Sequence, residues 1–234
     1  MREKICFIPA RGGSKRLRGK NMAIFRGKTL VAHTIEQAIE SDLFDHIILS
    51  SDDEAVLFVG KTYDIEIHER AADLSTDHTR IIDVIRELIK TRPISAESVI
   101  GLLLTTCPLR AVEDIIGAHK IFEHNECQSC VVSVKRHETP IQLSWTEADG
   151  FLKPVFPEEY RRSTRKQDHY DTYCYNDGVI LDLARNFENP TRNLFGENPI
   201  PYVMPGERSI PIDYDFQLRI ARCLGDMEAE DAEI

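Results

Sequence analysis

Residues 4–21 read Lys-Ile-Cys-Phe-Ile-Pro-Ala-Arg-Gly-Gly-Ser-Lys-Arg-Leu-Arg-Gly-Lys-Asn and join a short apolar run to a basic loop. The apolar run is typical of a buried strand. Adjacent glycines at 12 and 13 allow a tight backbone bend, whose successive N–H groups can bind an anion. The stretch contains five closely spaced cations: Arg11, Lys15, Arg16, Arg18 and Lys20. It is neither a Walker A loop nor a G-x-G-x-x-G turn. It predicts a site for an anionic small ligand, most simply a polyphosphate, with a solvated surface loop as the alternative.

The composition of the whole chain narrows the possible partners. The 234 residues carry a formal net charge of −10, which argues against a general nucleic-acid binder. No apolar run approaches the roughly 20 residues needed to cross a bilayer, and the N-terminus lacks a signal-peptide-like apolar region. We therefore expect a cytoplasmic protein that binds neither nucleic acid nor membrane. Six cysteines in a chain of this length do not suggest a disulfide framework.

Short apolar runs alternate with helical periodicity along the first 134 residues. The runs are Ile5–Ile8, His46–Leu49, Val99–Leu104 and Val131–Val134. Helical stripes lie between them, and the first has Thr29 as a candidate N-cap. This order predicts an α/β fold with a doubly wound, mostly parallel sheet, whose ligands bind beyond the carboxyl ends of the strands. Three polar segments, at 11–21, 50–53 and 105–110, fall at such ends, so we expect them to share one crevice.

The pattern predicts one domain over residues 1–225 with a protruding excursion at about 136–175. The excursion is charged and poor in apolar residues, and it could be an exposed loop, an oligomerisation arm or a lid. Residues 226–234 form an acidic tail that we expect to be disordered.

Further motifs follow the basic loop in a fixed order. They are Ser-Ser-Asp-Asp at 50–53, Glu-Arg-Ala-Ala-Asp-Leu-Ser-Thr-Asp at 69–77, Thr-Cys-Pro-Leu-Arg at 106–110, Arg-Lys-Gln-Asp at 165–168, Asn-Asp-Gly at 176–178 and Ile-Pro-Ile-Asp at 210–213. Together with the loop they resemble the acylneuraminate cytidylyltransferase (CMP-sialic acid synthetase) family, which includes pseudaminate and legionaminate cytidylyltransferases. The resemblance implies a Rossmann-like nucleotidyltransferase fold and a homodimer whose interface uses the excursion. It also implies transfer of CMP from CTP to the anomeric hydroxyl of a nonulosonic (sialic-acid-like) keto sugar acid, with release of pyrophosphate.

The resemblance carries site residues with it. The planar fork of Arg11 and the point charge of Lys20 suit phosphate oxygens, and we expect both to be catalytic together with Asp213. The expected nucleotide-binding residues are Ala10, Arg11, Gly12, Gly13, Ser14, Lys20, Asn21, Arg70, Thr79 and Thr106. The expected residues for the sugar acid, whose carboxylate needs cations, are Lys135, Arg165, Gln167 and Asn176.

Asp213 is the best candidate ligand for Mg²⁺ (or Mn²⁺), which prefers hard oxygen donors. The resembled family has Asp-x-Asp here, whereas this chain has Pro211 at the first position. Asp215 restores the spacing two residues later, and its alternative role is to cap the following helix. A second departure is Leu104, where the family usually has glutamine.

Three alternatives stay open. One is CTP-dependent activation of an eight-carbon ulosonic acid. Another is a GT-A-type glycosyltransferase that uses Asp213 and Asp215 as its metal motif. The third is a catalytically impaired nucleotide-binding homologue, which Pro211 and Leu104 keep open. The sequence does not identify the nonulosonic acid.

Overall fold

The computed structural model describes residues 2–231. Its strands are β1 (Lys4–Pro9), β2 (Ile24–Phe25), β3 (Lys28–Thr29), β4 (His46–Ser51), β5 (Glu66–Glu69), β6 (Val99–Leu103), β7 (Val131–Arg136), β8 (Trp145–Ala148), β9 (Phe151–Pro154), β10 (Tyr173–Leu183) and β11 (Ile200–Val203). Its helices are α1 (Leu30–Glu40), α2 (Glu54–Thr62), α3 (Ile81–Thr91), α4 (Val112–His124), α5 (Pro157–Arg162), α6 (Ala184–Glu188) and α7 (Asp215–Asp231).

Seven of the strands form one sheet in the order β11-β7-β10-β6-β1-β4-β5. Every neighbouring pair is parallel except the two that involve β10, which runs antiparallel to β6 and β7. The four apolar runs of the sequence all form strands of this sheet. The predicted mostly parallel α/β sheet is therefore confirmed.

The side chains of Ile-Cys-Phe-Ile in β1 pack alternately on the two faces of the sheet. Cys6 and Ile8 belong to a buried cluster that includes residues of α1, α2 and α4, whereas Ile5 and Phe7 belong to a cluster with α3 and α6. All four are at most 2% exposed. A strand that is apolar on both faces requires helices on both sides, which is the doubly wound arrangement.

Local capping fixes where helices begin. The Thr29 hydroxyl accepts a hydrogen bond from the Ala32 N–H at 3.2 Å, which confirms the predicted N-cap of α1. Asp53 caps α2 in the same way, with its carboxylate accepting the N–H of Ala55 at 2.9 Å.

The predicted excursion lies between β7 and β10. It holds the β8–β9 hairpin and the short helix α5. At the other end of the chain, α7 continues to Asp231, so residues 226–231 of the predicted disordered tail are helical. Residues 232–234 lie outside the described part of the chain. None of the helices in residues 2–231 is long and apolar enough to span a membrane.

Candidate functional site

A cavity of about 650 Å³ opens at the carboxyl ends of β1 and β6. Its lining includes eight of the residues predicted from the sequence: Arg11, Ser14, Lys20, Asn21, Arg70, Thr79, Thr106 and Asp213. These residues come from segments that are up to 202 positions apart. The topology brings them together because β1, β4, β5 and β6 all end at the same edge of the sheet.

The basic loop is held over this cavity by two carboxylates. On one side, Asp77 accepts a hydrogen bond from the Arg11 guanidinium at 2.8 Å and pairs with Lys15. On the other side, an oxygen of Asp213 lies 3.1 Å from Lys20 Nζ and 2.8 Å from a guanidinium nitrogen of Arg16. The contacts with Lys15 and Arg11 lower the pKa of Asp77 below its usual value. Ion pairs with these two carboxylates thus orient four of the five loop cations, namely Arg11, Lys15, Arg16 and Lys20.

Asn21 fixes the far end of the loop. Its side-chain nitrogen donates to the carbonyl of Arg11 at 2.8 Å, and its side-chain oxygen accepts from the Thr105 hydroxyl at 2.6 Å. Asn21 is only 5% exposed. The residue therefore ties the two ends of the loop to the end of β6, and its side chain lines the cavity at the same time.

The backbone at Gly12 and Gly13 differs from the predicted anion-binding bend. The Gly12 N–H donates to the Asp52 carboxylate at 2.8 Å, and the Ser14 N–H donates to the Gly12 carbonyl at 2.9 Å. The bend is present, but the first N–H is already bound to an acidic side chain. In the described lining of the large cavity, Ala10, Gly12 and Gly13 do not occur. Ala10 is 1% exposed and its backbone bonds to β4, so it positions the loop.

Arg70 follows β5 and is a buried cation. Its guanidinium donates to the hydroxyl and the carbonyl of Ser50, each at 3.2 Å. It is 9% exposed. Burial lowers the pKa of Arg70, and the nearby charge of Asp52 opposes that shift. Arg70 is thus a pre-oriented cation in the cavity wall rather than an exposed surface ion pair.

The carboxylates that line the cavity are Asp77, Asp177 and Asp213, so the predicted Asp215 is not one of them. Asp215 is the first residue of α7, its side chain is 67% exposed, and it pairs with Arg219 at 3.1 Å. It is not among the described residues that line the cavity, because the start of α7 turns it outward. Asp177 lines the cavity instead, together with Asp213. Asp177 was not among the residues predicted from the sequence.

Thr106 holds Asp177 and Asp213 near each other. Its hydroxyl donates to Asp177 at 2.8 Å, and its carbonyl accepts the Ile212 N–H at 2.7 Å, next to Asp213. Burial raises the pKa of Asp177, and the negative charge of Asp213 raises it further. Two carboxylates from different elements, facing one polar cavity, form a donor set that suits a hard divalent cation such as Mg²⁺.

Asn176, predicted to bind the sugar acid, has a structural role. It is fully buried, and its amide donates to the Ser209 hydroxyl at 2.9 Å while its oxygen accepts from Ser133 at 2.7 Å. These bonds shape a β-bulge, because the register of β10 against β7 shifts between Tyr175 and Ile180. The bulge places Asp177 at a φ of 61°, a left-handed conformation that aspartate tolerates better than most residues. A strand with an Asn-Asp-Gly interruption is the sequence signal for this arrangement.

The remaining predicted sugar-acid residues lie elsewhere. Lys135 lies in β7 opposite Cys174, and Arg165 is a 68% exposed residue 4.0 Å from Asp168. Gln167 lines a separate cavity of about 490 Å³ within the excursion. Within the described chain, none of the three lines the large cavity. Arg165 and Gln167 lie in the excursion, whereas Lys135 lies in β7, on the far side of β10 from β6.

Fold and site together define an α/β protein with a cationic loop over a cavity at the carboxyl ends of its strands, lined by the carboxylates Asp77, Asp177 and Asp213. A family model described as cytidylyltransferase matches residues 5–144. The N-acylneuraminate cytidylyltransferase of Escherichia coli O18:K1:H7 is 32% identical over 94% of this chain, and the chain spans about half the length of that relative (52%). The CMP-N,N′-diacetyllegionaminic acid synthase of Legionella pneumophila is 30% identical over 97% of this chain and 97% of its own length. The chain belongs to the cytidylyltransferase family.

A solved structure agrees with the fold. A CMP:2-keto-3-deoxy-manno-octonic acid synthetase complexed with CTP superimposes with a TM-score of 0.69 at 14% sequence identity. The match covers 97% of this chain and 99% of that chain. At this identity the likeness concerns the fold, which is the Rossmann-like arrangement of nucleotidyltransferases.

Proposed function

We propose that this protein transfers CMP from CTP to the anomeric hydroxyl of a nonulosonic acid and releases pyrophosphate. One observation carries the proposal. The loop cations Arg11 and Lys20 line the same cavity as the carboxylates Asp177 and Asp213. The names of the relatives at 30–32% identity support a nonulosonic acid as the acceptor. In this reaction the oxygen of the acceptor hydroxyl forms a bond to the α-phosphorus and its proton passes to water. The bond between that phosphorus and the oxygen that bridges to the β-phosphate breaks, and pyrophosphate leaves.

The side chains of the cavity match the needs of this reaction. Nucleotidyl transfer depends on positioning and on neutralising charge at the phosphates. Arg11 and Lys20 would face the triphosphate, and Arg70 and Thr79 would bind the nucleoside on the β5 side. Asn21 keeps the loop closed against β6, which holds these cations in place.

A divalent ion is part of the proposal. Asp213 and Asp177 are the residues that would hold Mg²⁺, with phosphate oxygens and water completing its coordination. When bound, the ion would add positive charge beside the phosphates. Asp215 is exposed and pairs with Arg219, so we assign it no part in binding the ion.

We also propose a homodimer that uses the excursion. Four large apolar side chains there are well exposed: Trp145 (50%), Phe151 (72%), Leu152 (67%) and Tyr170 (66%). Exposed apolar patches of this kind mark interaction surfaces. In sedimentation velocity we expect a dimer that Leu152→Asp converts to a monomer. Phe58→Asp, at an equally exposed (67%) position on α2, should remain dimeric. If the Leu152→Asp variant remained a dimer, that result would contradict an interface in the excursion.

We place the reaction in the cytoplasm. All six cysteines are free, which suits a reducing compartment.

Burial raises the pKa of the Cys107 thiol to about 12, so this cysteine packs in the core and does not act as a nucleophile.

The test is pyrophosphate release with CTP, Mg²⁺ and a panel of acceptors. The panel contains N-acetylneuraminate, pseudaminate, N,N′-diacetyllegionaminate and an eight-carbon ulosonate, with CTP alone and added EDTA as controls. Steady release with a nonulosonate supports the proposal. Release with the eight-carbon acid alone, hydrolysis of a ready-made CMP-sugar, or CTP binding without turnover would each replace it with one of the alternatives.

A further inference from the structure

Asp77 occupies donors that a phosphate would use. Its carboxylate accepts a hydrogen bond from the Arg11 guanidinium at 2.8 Å and forms an ion pair with Lys15. Arg11 also donates to the carbonyl of Thr76 at 2.6 Å. A guanidinium fork and an ammonium bind a phosphate through the same N–H groups that bind a carboxylate. A polyphosphate that binds Arg11 and Lys15 therefore has to displace the carboxylate of Asp77.

The ion pairs of Asp77 are partly open to solvent. The side chains of Arg11 and Asp77 are 31% and 34% exposed, and that of Lys15 is 77% exposed. A surface ion pair shifts an equilibrium by at most about fivefold, because water screens the charges and ordering two side chains costs entropy. Pyrophosphate and triphosphate carry several negative charges, so they can replace Asp77 at a modest cost.

The segment that carries Asp77 has few contacts with the rest of the molecule. None of residues 71–79 is buried. Within the described chain, the hydrogen bonds and ion pairs that tie this segment to other parts of the protein come from Arg11 and Lys15. An exposed segment with so few contacts can move at low cost.

A second cavity gives Asp77 a place to move to. This cavity, of about 620 Å³, lies beside the large one, and Ser14, Lys15 and Asp77 line both. Arg18 also lines it and forms no ion pair within residues 2–231. The Asp77–Lys15 contact thus stands between the two cavities, and Arg18 offers the displaced carboxylate a second partner.

We propose that Asp77 is a displaceable counter-ion, which gives way to the phosphates when CTP binds and returns to Arg11 and Lys15 when pyrophosphate leaves. The inference rests on the proposed function, since it concerns release of the product of that reaction. The carboxylate then competes with pyrophosphate and weakens its binding. Because two surface ion pairs are exchanged, we expect the competition to weaken that binding about three- to tenfold.

The experiment measures the Kd of pyrophosphate by isothermal titration calorimetry, in EDTA so that no divalent ion takes part. It compares wild type with Asp77→Asn, which keeps the shape of the side chain and an acceptor oxygen but removes the charge. We expect the variant to bind pyrophosphate about three- to tenfold more tightly.

Asp73→Asn is the matched control. Asp73 lies on the same exposed segment, and its carboxylate forms no ion pair or hydrogen bond within the described chain. Its removal changes the net charge by the same amount. The Kd of this variant should stay within about twofold of wild type, since salt screens an exposed charge that contacts no cation.

A double-mutant cycle tests the second partner. Arg18→Gln alone should weaken pyrophosphate binding, because the displaced carboxylate loses the cation that would receive it. In the Asp77→Asn background the same change should have a smaller effect, since no charged carboxylate is left to move. An equal effect in both backgrounds would overturn the role of Arg18 as the receiving cation.

The other failures are distinct. Equal or weaker pyrophosphate binding by Asp77→Asn overturns the inference and leaves the proposed function standing. Equal tightening in Asp73→Asn also overturns it, because the effect would then be one of net charge. If no nonulosonate is turned over while Asp77→Asn alone binds pyrophosphate more tightly, the proposed function is overturned and competition between Asp77 and phosphate is supported.

Discussion

Lys20 has the least exposed ammonium or guanidinium side chain among the loop cations that form ion pairs. Its side chain is 15% exposed, compared with 31% for Arg11, 57% for Arg16 and 77% for Lys15. A cation that is both shielded from water and aimed into a polar cavity interacts more strongly with a phosphate than an exposed one does. We therefore expect the loop cations to contribute unequally to phosphate binding, although the sequence alone does not distinguish them.

Lys20→Ala should fold normally and lose activity. Removing one preorganised donor to a charged transition state costs about 10²–10³ in rate, so kcat/KM should fall by at least that factor. Lys15→Ala is the matched control, since Lys15 is exposed and bonds only to Asp77 among the contacts described above. Its kcat/KM should stay within about tenfold of wild type. Near-normal turnover of Lys20→Ala in the pyrophosphate assay would count against the assigned role.

Asp177→Asn should weaken binding of Mn²⁺ in the presence of CTP. Even changes outside the coordination shell cost 10–100-fold in metal affinity, so loss of a ligand should cost at least about tenfold. The readout is the electron paramagnetic resonance signal of free Mn²⁺. Asp215→Asn, the control, should bind Mn²⁺ as wild type does. The reverse order of the two variants would restore the Asp213–Asp215 pair that the sequence analysis favoured.

At the residue scale, the sequence predicted many of the residues that line the cavity but did not predict Asp177. Eight predicted residues line the cavity because sequence order along strand ends translates directly into proximity at a sheet edge. Asp177 was missed because a bulge breaks strand alternation, and its buried neighbours Ser133 and Ser209 are 43 and 33 positions from Asn176. No local pattern reports contacts of that separation.

Among the elements, β10 is the one that shapes the site. It is the antiparallel strand between β6 and β7, and its bulge turns Asp177 towards the cavity. Gly178 follows in a crowded position. A Cβ there would lie 2.6 Å from Met204 Sδ and 2.6 Å from Ser133 Oγ. The bulge therefore needs glycine for lack of space.

Gly178→Ala should destabilise the protein by about 1–3 kcal/mol, the usual cost of overpacking a core position. Equilibrium urea unfolding gives the value. Gly206→Ala, where a Cβ would meet nothing within 4 Å, is the control and should leave the unfolding midpoint unchanged. If both variants unfold at the wild-type midpoint, the bulge is looser than its contacts indicate.

The elements that periodicity revealed are those with long apolar stretches. The runs at β1, β4, β6 and β7 and the helices α1, α3 and α4 stand out in the sequence. The edge strands do not. β5 reads Glu-Ile-His-Glu and β11 reads Ile-Pro-Tyr-Val, so one is half charged and the other contains proline. Edge strands tolerate both features because one side of their backbone forms no ladder.

Across the whole molecule, three partly or fully buried histidines make stability depend on pH. Burial lowers the pKa of His33, His68 and His119 below the ordinary value of 6.5. In each case the unfolded chain binds a proton more readily than the folded one. Their contribution to stability is present above pH 6.5 and is lost as the pH falls through the lowered pKa values.

The free energy of unfolding should therefore decrease on acidification below pH 6.5. Each proton contributes a slope of at most about 1.4 kcal/mol per pH unit. In His119→Gln the slope should be shallower by up to one such proton. His119 is 5% exposed and faces Lys4, which lowers its pKa, and Glu123, which opposes that shift. Urea unfolding from pH 7.5 to 5 measures both slopes, and an unchanged slope in the variant would mean that folding does not lower the pKa of His119.

The central claim is that the cavity between the basic loop and the Asp177–Asp213 pair holds CTP with a divalent ion. A crystal structure with CTP and Mn²⁺ tests it most directly. We predict that an anomalous difference peak will place Mn²⁺ in contact with the carboxylates of Asp177 and Asp213. The triphosphate should lie within hydrogen-bond distance of Arg11 and Lys20. A triphosphate bound away from the loop, or Mn²⁺ at Asp215, would contradict the account.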